Sequence, residues 1–148
     1  MGRVINPETA GKERTQLMRS VVLAVRELAL QTETGEQARD LAAYLALALL
    51  AVTNTVESSV QAWEKRGYWV KADRFRMEWI WTERLGFAMQ QAVLQADWAS
   101  VATTAVQIAE RSSNVKVPKN HKLGKPWEGA WKKLKQDAES QATKTLKK

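Results

Sequence analysis

The stretch LAAYLALALLAVTNTVESSVQAWEKRGYW, residues 41–69, decides the fold. Leu41, Leu45, Ala48, Leu49, Val52, Val56, Val60 and Trp63 recur at steps of three and four. That period lines one side of an α-helix and does not line one face of a strand. Upstream, Thr34 with Gln37 three residues later has the capping-box pattern. Downstream, Gly67 suits the left-handed position that closes a helix. The spacing therefore predicts a helix to about Arg66, roughly 32 residues or roughly 48 Å at 1.5 Å per residue. Its longest apolar run, Leu41–Val52, is twelve residues, which is short for a bilayer and long enough for a buried helix, so no transmembrane segment is expected.

Working outward, a third helix is expected from about Tyr68 to Gln95. Phe75, Trp79, Gly86, Met89 and Val93 form one stripe on it, and Met77, Trp81, Leu85, Ala88 and Ala92 an adjacent one. Two adjacent stripes make a wide apolar face, which suits a helix with neighbours on two sides. Before the central stretch, Asn6-Pro7-Glu8 reads as a helix start. Leu17, Val21, Ala24 and Leu28 share a face, and Thr32–Gly35 reads as a turn. After it, Asp97 is placed to cap a fourth helix with Trp98, Val101, Ala105 and Ile108 inward, ending near Ser112-Ser113-Asn114. Four amphipathic helices on short turns favour an antiparallel four-helix bundle over residues 1–112. In that arrangement helices two and three form a long hairpin and helices one and four cover it.

Residues 113–148 differ in character. Pro118, Gly124 and Pro126 stand among Lys116, Lys119, Lys122 and Lys125, the pattern of an extended basic linker. A short amphipathic helix is expected from Trp127 to about Lys144, with Trp127, Trp131, Leu134 and Ala138 on one side. Residues 1–110 hold 12 Lys/Arg against 13 Asp/Glu, and residues 111–148 hold 11 against 3. The net charge of +7 thus sits wholly in the last quarter of the 148-residue chain. A neutral body with a cationic tail points to an acidic or phosphate-bearing partner for the tail alone.

The inventory excludes several chemistries. There is no Cys, so disulfides, thiolate zinc sites and thiol nucleophiles are out, an absence compatible with a cytoplasmic location. The polar N-terminus lacks the apolar core of a signal peptide. The one His, His121, lies in the lysine-rich linker and reads as a solvated linker residue. A di-iron bundle needs two Glu-x-x-His motifs, and a haem held by paired histidines needs two, so neither cofactor is expected. Glu57, Glu78, Glu83 and Asp97 show no spacing that pairs carboxylates for acid–base work. Arg74 and Glu78, four apart, read as a surface ion pair. No phosphate loop or nucleophile elbow is present, so no catalytic residues are assigned and the chain is not expected to be an enzyme.

Three features remain. Thr53-Asn54-Thr55 interrupts the apolar run, either as a polar site in the bundle or as hydroxyls bonding back to their own helix with Asn54 fixing register. Trp63, Tyr68, Trp69, Phe75, Trp79 and Trp81 lie among Lys65, Arg66, Lys71, Arg74, Arg76 and Arg84. These rings either pack the end of the bundle or hold an anionic ligand, with Arg66, Tyr68, Trp69 and Arg74 the exposed candidates. The tail carries the clearest functional pattern. Lys116, Lys119, Lys122, Lys125, Lys132, Lys133 and Lys135, with Lys144, Lys147 and Lys148 behind them, have Trp127 and Trp131 interleaved. Cationic chains with interleaved rings suit a nucleic acid, the charges displacing counterions and the rings stacking on bases. The same two Trp would equally serve to dock the tail on the bundle. The leading expectation is a non-catalytic nucleic-acid-binding protein, for example a small ribonucleoprotein subunit. The alternative is a protein–protein interaction or assembly module, including self-association or an acidic protein partner.

Overall fold

The computed structural model describes the backbone of residues 7–146 and the side chains of residues 9–142. The expected cap at Asn6 and the terminal Lys147 and Lys148 lie outside the described residues, as does the side chain of Lys144. Within them the chain is all-helical: α1 (Pro7–Ala29), α2 (Glu36–Lys65), α3 (Trp69–Leu94), α4 (Trp98–Arg111) and α5 (Ala130–Leu146).

The α2–α3 turn forms as its glycine requires. Gly67 adopts φ +82°, and the Tyr68 N–H donates to the Trp63 carbonyl (2.9 Å) while the Gly67 N–H donates to that of Glu64 (3.0 Å). These are the two bonds that close a helix on a left-handed residue. The α3–α4 turn repeats the pattern with Asp97 N–H on Ala92 (2.9 Å) and Ala96 N–H on Val93 (3.2 Å), but here alanine stands at φ +53°. Asp97 caps α4, accepting from the Ser100 N–H at 3.2 Å and its hydroxyl at 2.7 Å. The start of α2 departs from expectation. Its cap is Gly35 with no side-chain bond, because the helix begins at Glu36 and leaves Thr34 one residue too early to reach the free amides. Glu36 instead puts a negative charge in the first turn.

Helix α2 is the hub. α1 and α3 pack along it and α5 lies against it, whereas α4 rests on α3 and only touches α1. Helices one and four thus lie on the hairpin, α1 on α2 and α4 on α3, and the C-terminal helix adds a further contact on α2. All eight residues of the central stripe are covered, Leu41, Leu45, Leu49, Val52 and Val60 completely and Trp63 partly. Each such aliphatic side chain contributes about 1.5–3 kcal/mol relative to exposure. Helix α2 as a whole is long and apolar enough to cross a bilayer by length and composition, and 56% of its most apolar window is buried within the fold, the disposition of a core helix.

Two clusters make the interior. One joins Val21 and Ala24 of α1, Leu41, Leu45 and Leu49 of α2, Met89 and Val93 of α3, Val101 and Ile108 of α4, and Trp127, Ala130 and Leu134 of the C-terminal segment. The other, toward the hairpin tip, joins Met18, Val52, Val56, Val60 and Ala72, flanked by Trp63, Phe75, Trp79 and Trp81. Between them α2 and α3 come close at Gly86, where an added Cβ would lie 3.0 Å from Leu50 Cδ2 and 3.3 Å from Leu49 Cβ. On the third helix Gly86, Met89 and Val93 of the first stripe are buried, and in the adjacent stripe Ala92 is buried and Trp81 and Leu85 are half-buried, whereas Met77 and Ala88 face solvent.

Candidate nucleic-acid interface

The C-terminal quarter is anchored by its rings and leaves its lysines outward. After α4 the chain runs without helix through residues 115–126. Val115, Val117, Leu123 and Pro126 are half-buried, while Lys116, Lys119, Lys122 and Lys125 are exposed. A tight turn is set by His121, whose Nδ1 accepts the Leu123 N–H at 2.9 Å. Lys122 (φ +58°) and Gly124 (φ +66°) complete it in left-handed geometry. His121 is thus a half-buried turn residue and not simply a solvated one.

Trp127 then inserts into the core at 5% exposure, followed by Ala130 at 5% and Leu134 at 1%. Gly129 (φ +81°) breaks the turn before α5, which starts at Ala130 and not at Trp127. The first amides of α5 find their acceptor on α2: Asp40 Oδ1 takes the Trp131 N–H at 2.9 Å and Oδ2 the Gly129 N–H at 3.3 Å. A carboxylate at a helix N-terminus satisfies free donors and meets the positive end of the dipole. The Trp131 ring is half-buried between the Arg39 guanidinium (5.7 Å) and Lys135 Nζ (5.4 Å).

The segment is thus held through Trp127, Leu134 and Asp40. Trp127 has no free face on which a base could stack, whereas Trp131 is half-buried with two cations near its ring. Lys132, Lys133 and Lys135 are exposed on α5 with Ala138 half-covered beneath. Arg76 gathers close ion pairs, with Glu57 at 3.1 Å, Glu64 at 3.7 Å and Asp73 at 3.8 Å. Arg39 joins the cationic segment from α2, its Nε buried without a hydrogen-bond partner. Only the tertiary contact with Trp131 brings it there, and nothing in its own sequence neighbourhood signals it.

The hairpin tip is more dispersed than its sequence suggested. Arg66, Tyr68 and Trp69 are exposed beside one another at the turn, but Arg74, also exposed, follows Trp69 by five residues and so points about 140° away round the helix. The shallow depression there is lined by Gly67, Tyr68, Trp69, Val70 and Lys71, and Lys71 Nζ lies 4.5 Å over the Trp63 ring. The inner rings are packing: Trp63 and Phe75 meet edge-on at 4.9 Å. Arg14 of α1 lies over Phe75 at 4.8 Å and Trp79 at 5.7 Å, and burial holds its guanidinium below the usual arginine range. The expected Arg74–Glu78 pair does not form. Arg76 is the arginine that faces Glu57 across the helices.

Thr53 and Thr55 donate back to Leu49 (3.1 Å) and Val52 (2.7 Å) within α2, and Thr53 also meets Thr82 of α3 at 2.9 Å. Asn54 is exposed and so plays no part in the interior. An apolar cleft of about 440 Å³, unmarked by any motif, lies between the end of α1 and α4, lined by Val25, Leu28, Trp98, Val101 and Ala105 among others. Among the described residues no three His, Asp or Glu side chains gather where a metal ion could be held. A scan of protein-family models matched none, and neither the curated proteins nor the solved structures gave a match.

Proposed function

We propose that the chain is a non-catalytic nucleic-acid-binding protein that grips phosphates through the lysines of its C-terminal segment. The observation that carries this reading is the division of labour in residues 115–135: Trp127 and Leu134 are buried while Lys116, Lys119, Lys122, Lys125, Lys132, Lys133 and Lys135 are all exposed. In this reading α1–α4 form an antiparallel bundle, and α5, seated on α2, displays the cations on a firm support. With the rings committed inward, recognition is by charge along the backbone and not by base stacking, so it is expected to be sequence-tolerant and steeply salt-dependent.

The test uses the full chain, because removing residues 113–148 would strip Trp127 and Leu134 from the core and confuse unfolding with loss of binding. Wild type and a variant with Lys116, Lys119, Lys122, Lys125, Lys132 and Lys133 all changed to Gln are titrated against a mixed-sequence DNA duplex and an RNA hairpin at several salt concentrations. If the six contact phosphates, the logarithm of the binding constant falls against log salt with a slope of about −5 for wild type on the duplex. The variant should lose most of that slope. Equal affinity and equal slope for the two proteins would remove the segment from consideration.

A further inference from the structure

Helix α3 carries a second pattern on the side turned away from α2. Val70, Asp73, Met77, Ile80, Arg84 and Phe87 follow one another at alternating steps of three and four, the spacing of a seam between two helices. All six are exposed, and the apolar four strongly so: Val70 67%, Met77 72%, Ile80 41% and Phe87 50%. The residues that α3 turns inward, Ala72, Thr82, Gly86, Met89 and Val93, lie round the other side, so α2 cannot cover this face.

We infer that this face joins two copies of the chain, α3 packing antiparallel on α3 about a two-fold axis. The argument for a second copy is that the pattern is its own complement. When Met77 of one copy faces Ile80 of the other, Val70 faces Phe87 and Asp73 faces Arg84, each contact occurring twice, as an isologous interface requires. A parallel in-register pairing of the same face would set Asp73 against Asp73 and Arg84 against Arg84. Opposite charges therefore select the antiparallel arrangement, while the apolar layers supply its adhesion. Arg84 makes no close ion pair among the described residues, and Asp73 touches only Arg76 at 3.8 Å, which Glu57 already holds at 3.1 Å. The seam from Val70 to Phe87 is about 26 Å long, and α5 packs on α2.

Light scattering and sedimentation of the full chain across a concentration series test this. Wild type should pass from monomer to dimer. Met77→Glu, at an exposed position that leaves the core alone, should raise the dimer Kd by about a hundredfold, since two copies of the change fall in one interface. Asp73→Arg and Arg84→Asp singly should each weaken the dimer, and the two together should restore it. The chain has no native Cys, so Val70→Cys chains mixed with Phe87→Cys chains should give a mixed disulfide on oxidation. A monomer at every concentration, a dimer indifferent to Met77→Glu, or Val70→Cys chains that cross-link chiefly to themselves would each overturn the proposal. The six-lysine variant should dimerise like wild type, which separates this interface from the phosphate-binding reading.

Discussion

Replacing Asp40 with alanine isolates the contact that fastens the C-terminal helix to the hub. The carboxylate accepts two amides from a segment some ninety positions away in sequence, Trp131 at 2.9 Å and Gly129 at 3.3 Å. The Trp131 amide lies in the first turn of α5 and the Gly129 amide just before it, where no intrahelical acceptor exists. Loss of such a cap costs about 0.5–2 kcal/mol. The longer of the two bonds and the partial exposure of Asp40 put the expected loss near the middle, about 1 kcal/mol, or about 3–4 °C in Tm for a domain of this size. Leu134→Ala, emptying a side chain that is 1% exposed, should cost more, about 2–5 kcal/mol. Urea denaturation followed by Trp fluorescence gives both numbers. Hydrogen exchange gives the mechanism: in Asp40→Ala the Gly129 and Trp131 amides should exchange faster while amides in the middle of α2 do not. If those two amides keep their protection, Asp40 is not what holds them and the capping argument is wrong.

Two further outcomes follow from the turn between α3 and α4. Ala96 holds φ +53°, a region that costs a residue with a Cβ and is free to glycine, so Ala96→Gly should stabilise by about 0.5–1 kcal/mol in the same denaturation assay, unlike most glycine substitutions. Asp97 beside it is held below the usual aspartate range by the Ser100 hydroxyl and then by the Ser100 N–H. Its folded pKa is depressed, so its contribution is present at pH above the ordinary aspartate value and is lost as pH falls through the folded one. Stability measured against acid should show this dependence in wild type and lose that part of it in Asp97→Asn.

The sequence alone determined the helical class and the main helix boundaries. A three-and-four apolar period, Gly67 after α2 and Asp97 before α4 act within one or two turns of chain, where local geometry and free amides leave few choices. The same locality explains the failure at Thr34, where a shift of one residue moved the cap to Gly35. Of the candidate interface, the run of exposed lysines was legible because charge resists burial. What the rings do was not: Trp127 and Trp131 have the same spacing whether they stack on bases or dock on α2. The choice was made by the packing of α5 on α2 and by Asp40, which lies some ninety positions before Trp131 and meets its amide only in the folded chain. On the outward face of α3 only Met77 was read into a covered stripe, and Val70, Ile80 and Phe87 were assigned to none, because periodicity reports which residues share a side but not whether a neighbour arrives to cover it. That α5 and not α4 lies on α2, and that Met77, Ile80 and Phe87 are left bare, follows from competition among helices for one hub, which is a property of the packed molecule.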